Sequence, residues 1–170
     1  WGEDLQAHVL GEYAVAIRDD RNDTTIITHD ALGLRSVFYS HTTEGLVVGS
    51  HLRDVLGFTG TGELDEEYIA DFLTLTFATG DRTPYRHVRR LLPGRTLLWN
   101  QGRLVERRTW ELSQVQPVRL PDDTAYEDRF RALLTEGIQA ARRCTGKAWC
   151  ELSGGLDSST IACLAAESDP

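Results

Sequence analysis

Methionine is missing from this 170-residue sequence, and lysine occurs once, at Lys147. Trp1 is no initiator, so the N-terminus is expected to be processed or cut. A single lysine placed ahead of the glycine-rich stretch near the C-terminal end excludes a Walker A loop there, which needs a lysine after its glycines. Cysteine is scarce and odd in number: Cys144, Cys150 and Cys163 show no paired metal-ligand spacing, which argues against a disulfide framework and against zinc. Cys150 and Cys163 lie in apolar runs and are expected to be buried as small hydrophobes, in a reducing cytoplasm. No apolar run reaches membrane-spanning length. Basic charge is in deficit, with a formal net charge of −8, so a nucleic-acid-binding surface is not expected. The arginine-rich stretches 86–90 and 103–108 read as solvated faces or partners for the excess acids.

What is present is ordinary for a folded domain, 41% hydrophobic and 26% charged, apart from one motif. Ser153 to Ser159 read S-G-G-L-D-S-S, after the apolar run Ala148–Leu152 and before the helix-like Thr160–Ala166. Strand, two-glycine turn and helix make a cradle for phosphate. Paired glycines let the backbone approach an anion, and the following helix turns its free N–H groups and positive dipole end to the same point. Ser153, Ser158 and Ser159 can donate hydroxyl hydrogen bonds to phosphate, and Asp157 can hold magnesium beside them. A loop without lysine suits chemistry at the α-phosphate, with pyrophosphate leaving. An ordinary helix cap would use one or two such residues; seven in this order are far more specific.

Ahead of the motif the pattern is mostly β. A strand over Val9–Ile17 and a β-branched return over Thr24–Thr28 predict one hairpin; Val37–Ser40 and Leu46–Gly49 predict a second. Ser50 is expected to cap a short helix through Val55, ended by Gly57, and Asp65 a stronger one with Glu66 and Glu67 in its first turn. A short helix is predicted from His87 to Leu92, then strands at Arg95–Trp99 and Leu104–Trp110. Gln114–Asp123 reads as a linker, and a long helix follows from about Thr124 to Arg143. The chain is therefore expected to divide into a β-rich part over 1–115 and the opening of an α/β domain over 116–170. A nucleotide-binding parallel sheet needs further strands to cover its faces, so the chain is expected to be a fragment. The five histidines read as surface or packing residues.

Several stretches together resemble the glutamine-dependent asparagine synthetase family. They are Leu10-x-x-Tyr13-Ala14 with its flanks, His29–Tyr39, Gly49–Leu56, Val88–Gly94, Arg108–Trp110 and, most specifically, S-G-G-L-D-S-S. The resemblance implies an α+β, glutaminase-type (Ntn-like) αββα sandwich, truncated at its N-terminus, followed by the start of an α/β domain of the ATP-pyrophosphatase type. It implies ATP and Mg2+, with Leu152 against the nucleotide. Ser153, Gly154, Gly155, Ser158 and Ser159 would line the pyrophosphate and Asp157 would bind magnesium. The family's glutaminase nucleophile is an N-terminal cysteine, and none of the three cysteines here is a candidate for it.

The activity implied is an amide-forming ligation. A small-molecule or peptide carboxylate is activated as an acyl-adenylate, then attacked by ammonia from glutamine. Two alternatives stay open: a lasso-peptide or β-lactam-type cyclase using an internal amine beside an inactive glutaminase-like domain, and an incomplete, non-catalytic module. No nucleic-acid or membrane partner is expected, and a homodimer of the full-length protein stays open.

Overall fold

Alternating apolar residues build two antiparallel sheets in the first part of the chain. The computed structural model describes residues 2–76, 80–143 and 145–167, with the side chains of 2–4 left aside. After a 3-10 turn at Gly2–Ala7 come β1 (Ala14–Asp19), β2 (Thr24–His29), β3 (Phe38–Thr42) and β4 (Gly45–Gly49). Helices α1 (Leu52–Thr59) and α2 (Glu66–Leu73) follow, then β5 (Arg89–Arg90), β6 (Arg95–Asn100) and β7 (Arg103–Arg108). Beyond a 3-10 turn at Leu112–Gln114 lie α3 (Asp123–Ala141) and α4 (Leu156–Glu167). The chain falls into two compact units, Trp1–Val115 and Gln116–Pro170.

In the first unit, one sheet has the order β1-β2-β6-β7 and the other β4-β3-β5. The register sets Ile27 opposite Leu97 and Thr28 opposite Thr96. Neighbouring residues on a strand face opposite ways, so the first pair and the second pair lie on different faces. Ile27 and Leu97 pack with Val37, Tyr39 and Leu91, joining the two sheets in one core that Leu46 and Leu104 flank. On the other face, Thr28 and Thr96 share a hydroxyl hydrogen bond of 2.9 Å, and Gln6 Nε2 donates to Thr28 Oγ1 at 3.0 Å and to the His29 carbonyl at 2.7 Å. Thr109 Oγ1 completes the network by donating to Gln6 Oε1. Every buried polar group in this cluster therefore has a partner, as burial requires.

The predicted elements are mostly present, with informative differences. β1 starts at Ala14 rather than Val9, because its partner β2 ends at His29, opposite Ala14, and the ladder has nothing further to pair with. Ser50 does not cap α1. His51 occupies that position without a side-chain bond, and the helix runs past Gly57 to Thr59, where Gly60 caps it, with Val55 fully buried. The helix expected at His87–Leu92 is a strand: β5 pairs with Phe38 and Tyr39, and that pairing carries Leu91 into the core. Local propensity loses to tertiary pairing here. Asp65 does cap α2, accepting from the Tyr68 N–H at 3.0 Å.

In the second unit α3 and α4 pack together and bury Ile138 and Leu164. Asp122 caps α3 through the Ala125 N–H at 2.8 Å. Ala148–Leu152 forms no strand, since among the described residues of this unit no strand lies beside it to share a ladder. The expectation that Cys150 and Cys163 are buried is also overturned: both are exposed, for the same want of a covering sheet. Cys144 lies outside the described residues.

Candidate functional site

The S-G-G-L-D-S-S stretch forms the turn that leads into α4. Leu152 and Ser153 lead into it outside any regular element. Gly154 then turns the chain with φ +80°, in the left-handed region that favours glycine, and a Cβ there would meet open space. Gly155 precedes the helix, and Leu156, Asp157, Ser158 and Ser159 form its first turn. The Leu156, Asp157 and Ser158 N–H groups precede the first helical hydrogen bond and so have no acceptor within the helix, which leaves them available to a group held by the loop.

The hydroxyls converge on the same place. Ser153 Oγ and Ser158 Oγ lie 3.0 Å apart, Gly155 N–H donates to Ser153 Oγ at 3.4 Å, and Ser158 Oγ donates to the Gly155 carbonyl at 3.2 Å. Ser159 N–H donates to the Gly155 carbonyl at 3.2 Å, closing the first turn. The turn thus brings Ser153 and Ser158 together through their side chains, while Ser159 joins it through its backbone. A loop-to-helix geometry of this kind, with small residues and exposed hydroxyls, leaves room for phosphate oxygens; Asp157 is exposed on the helix rim.

Magnesium fits as a ligand shared with phosphate. Among the described residues no group of three or more His, Cys, Asp or Glu side chains could enclose a metal. Mg2+ commonly uses one or two carboxylates, keeps several waters and takes the rest from substrate phosphates, so one carboxylate at Asp157 suffices for that mode. Lys147 precedes the turn and is bound up with a different feature. It lines a cavity of about 590 Å3 with Arg142, Cys150 and Ala162, Ala165 and Ala166 from the second half of α4. Arg142 Nη1 donates to the Ala165 carbonyl at 2.9 Å, placing a cation near the negative end of α4.

Two of the cavities in the first unit share walls that the sequence did not single out. One, of about 340 Å3, is lined by Gly33, Ser36, Phe38, Leu52, Tyr68 and Arg82 among others. The second, of about 670 Å3, is lined by Glu12, Tyr13, Leu34, Arg35, Ser36, Phe38 and Leu52 among others. Ser36, Phe38 and Leu52 belong to both walls. These residues come from β3, α1 and the loops around them, so no contiguous motif marks them. Arg82 beside the smaller cavity is paired with Asp71 at 2.8 Å and Glu67 at 2.5 Å. Arg35 beside the larger one is paired with Glu12 at 3.2 Å.

Asp30 anchors the loop between β2 and β3 that borders both cavities. Its carboxylate accepts from the Leu34 N–H at 2.9 Å and the Arg35 N–H at 3.0 Å. Burial pushes its pKa up, but those two N–H bonds and the neighbouring His29 outweigh burial and hold it below the ordinary carboxylate value.

Comparison with known proteins assigns both parts of the chain. The sequence model of the glutamine amidotransferase domain matches residues 1–110, and that of asparagine synthase matches residues 129–170. The chain is similar to amidase chyE of Penicillium rubens, at 26% identity over 98% of this chain and 25% of that protein. It is similar to asparagine synthetase [glutamine-hydrolyzing] 3 of Bacillus subtilis, at 25% identity over 98% of this chain and 27% of that protein. A putative asparagine synthetase [glutamine-hydrolyzing] of Mycobacterium tuberculosis is 25% identical over all of this chain and 27% of its own length. The chain spans about a quarter of the length of these curated relatives. With a glutamine amidotransferase domain over 1–110 and asparagine synthase sequence from 129 onward, the chain belongs to the asparagine synthetase family.

Proposed function

We propose that this chain belongs to an ATP-dependent, amide-forming ligase of the asparagine synthetase type that takes its nitrogen from glutamine. Residues 1–115 form the glutaminase-like part, and residues 116–170 open an α/β domain of the ATP-pyrophosphatase type. The observation that carries the reading is the turn at Ser153–Ser159, where two hydroxyls, a left-handed glycine and a helix N-terminus meet. In the first step a carboxylate oxygen of the substrate attacks the α-phosphorus of ATP. The bond from that phosphorus to its bridging oxygen breaks, and pyrophosphate leaves. In the second, ammonia attacks the acyl carbon, AMP departs with the oxygen, and the nitrogen loses a proton to give the amide.

Each part of the turn has work in the first step. Gly154 and Gly155 let the backbone close on the departing pyrophosphate, and Ser153, Ser158 and Ser159 donate to its oxygens. Leu152, exposed ahead of the turn, offers an apolar contact to the nucleotide. Asp157 would hold Mg2+, which when bound neutralises phosphate charge. Because the donors are preset by the turn, they need little reorganisation as charge moves to the leaving group.

The test is ATP–pyrophosphate exchange by the full-length protein with a panel of carboxylic acids, beside the Asp157→Ala variant. Exchange with at least one acid is expected, and the variant should lose about 10²–10³ of it. A variant that exchanges like wild type removes magnesium from Asp157. Absence of exchange with every acid removes the adenylation step. The nitrogen source is read separately, by supplying glutamine labelled with 15N in its side-chain amide. Label in the product amide is expected; an unlabelled, cyclised product would favour an internal amine instead.

A further inference from the structure

His29 is a buried side chain that none of this chemistry uses. It sits at the end of β2 with 1% of its surface exposed. Its two ring nitrogens face two different parts of the first unit: Nδ1 lies 2.9 Å from the Arg35 carbonyl oxygen, and Nε2 lies 3.0 Å from the Leu92 carbonyl oxygen. Both distances are those of full hydrogen bonds. A carbonyl oxygen can only accept, so each bond needs a proton on the ring nitrogen. A neutral imidazole carries one N–H and presents a lone pair at the other nitrogen; only the imidazolium donates from both.

We propose that His29 is held as an imidazolium that donates from both ring nitrogens, and that this buried cation positions the loop 30–36 against Leu92 and Pro93. These segments wall the two adjoining cavities described above: Gly33 and Pro93 line the smaller one, and Leu34 and Arg35 the larger. The surroundings suit a cation. Asp30 follows it directly in the chain, and its carboxylate ties down the Leu34 and Arg35 N–H groups, so one loop is gripped by an anion and a cation together. The charged groups near this junction are Asp30 itself and Arg35, whose guanidinium is turned to Glu12 at 3.2 Å. Tyr13 adds its carbonyl, which accepts from the Asp30 N–H at 2.9 Å. The ring is also tightly held by shape. A Cβ on Gly33 would come within 3.2 Å of His29 Cε1 and 3.0 Å of Pro93 Cγ, so the loop can approach this closely only as glycine. His29 is a positioning residue in this arrangement, since it touches neither cavity lining as a reacting group.

The experiment is long-range 1H–15N correlation NMR on the polypeptide labelled with 15N-histidine, at neutral pH. The His29 signals are identified by elimination, using single His→Gln variants at positions 8, 41, 51 and 87. The expected result is two protonated ring nitrogens for His29, with no signal of the unprotonated, pyridine type. A pyridine-type nitrogen on His29 would overturn the proposal, and the wild-type spectrum alone decides this point. Positioning is read by amide hydrogen exchange in His29→Gln, whose one amide nitrogen cannot serve both carbonyls. Exchange at Leu34 and Arg35 should rise by about tenfold or more, with Ser159 unchanged. Unaltered exchange at Leu34 and Arg35 would show that the loop does not depend on the ring.

Discussion

The two units of this chain solve different problems with their small residues and hydroxyls. In the first, threonine and glutamine side chains are sunk beneath a sheet and saturated: Gln6, Thr28, Thr96 and Thr109 bond one another and leave nothing over for a ligand. In the second, serine hydroxyls gather at an exposed turn and, among the described residues, bond one another and the turn's own backbone. The same chemical group thus serves stability in one place and availability in the other, and burial decides which. A buried hydroxyl without a partner costs about 1–3 kcal/mol, so it must be matched within the protein. An exposed one is matched by water and can exchange that water for phosphate at little cost.

The largest effect that would sharpen this contrast is in the cores. Leu97→Ala removes a fully buried side chain from the cluster that joins both sheets. It should lower the unfolding free energy of the first unit by about 2–5 kcal/mol, read by hydrogen exchange with mass spectrometry, which resolves the two units. Leu164→Ala, in the helix pair α3 and α4, should fall at the low end of that range, because fewer neighbours surround a side chain in a two-helix contact. Equal losses at the two positions would break the contrast.

A pair of glycines isolates close approach from backbone conformation. Gly94 and Gly154 both have positive φ, +66° and +80°, and alanine at either pays the left-handed penalty of about 1–2 kcal/mol. A Cβ on Gly94 would also stand 2.2 Å from the Trp110 carbonyl oxygen, whereas one on Gly154 meets nothing. Gly94→Ala should therefore lose a further amount of about 1–3 kcal/mol, since backbone must shift to admit it. Gly154→Ala should show the smaller loss of stability together with slower pyrophosphate exchange in the full-length protein. The reverse order in a urea titration would contradict the close packing of Gly94 on Trp110.

These positions also mark what the sequence made legible. The turn at Ser153–Ser159 was readable because its parts are consecutive: glycine, hydroxyl and helix start follow one another, and local geometry brings them together. Hairpins were readable for the same reason, as was the cap at Asp65. The two adjoining cavities beside β3 were not, because Ser36, Leu52 and Arg82 meet only once β3, α1 and the loop before β5 have packed. β5 itself was misread as a helix, since its strand character comes from Phe38 and Tyr39 across the ladder and not from its own residues. His29, like the other histidines, reads from the sequence as a surface or packing residue. The structure buries it, and its two carbonyl partners lie 6 and 63 residues away, beyond any local pattern.

A smaller effect tests the first unit's core through pH. Tyr39 belongs to the cross-sheet cluster, and burial, then the nearby charges of Glu106 and Asp81, push its hydroxyl up to about 12. In the unfolded chain the same group ionises near 10. Below that value both states keep the proton and stability is unaffected. Between about 10 and 12 the unfolded state ionises while the folded state does not, so stability should fall as pH rises. Tyr39→Phe should remove that part of the alkaline loss, measured as the difference between the two pH–stability curves. Parallel curves would mean that the hydroxyl is not held protonated by the core.

The smallest effect concerns the helix caps, where the two units should agree. Asp65 accepts from the Tyr68 N–H at 3.0 Å at the start of α2, and Asp122 accepts from the Ala125 N–H at 2.8 Å at the start of α3. Each satisfies a first-turn donor that the helix cannot, and each places a negative charge at the positive end of the dipole. A cap bond spans three residues and draws little from tertiary packing, so Asp65→Ala and Asp122→Ala should each cost about 1 kcal/mol. Asp65 has one added connection, an ion pair of 3.8 Å to Arg82, a distance at which the attraction is weak. Asp65→Asn keeps the capping oxygen and removes the charge, and should recover most of the loss. If Asp65→Asn were as damaging as Asp65→Ala, the charge and not the cap would hold α2, and the first unit would depend on Arg82 in a way that the second has no counterpart for among the described residues.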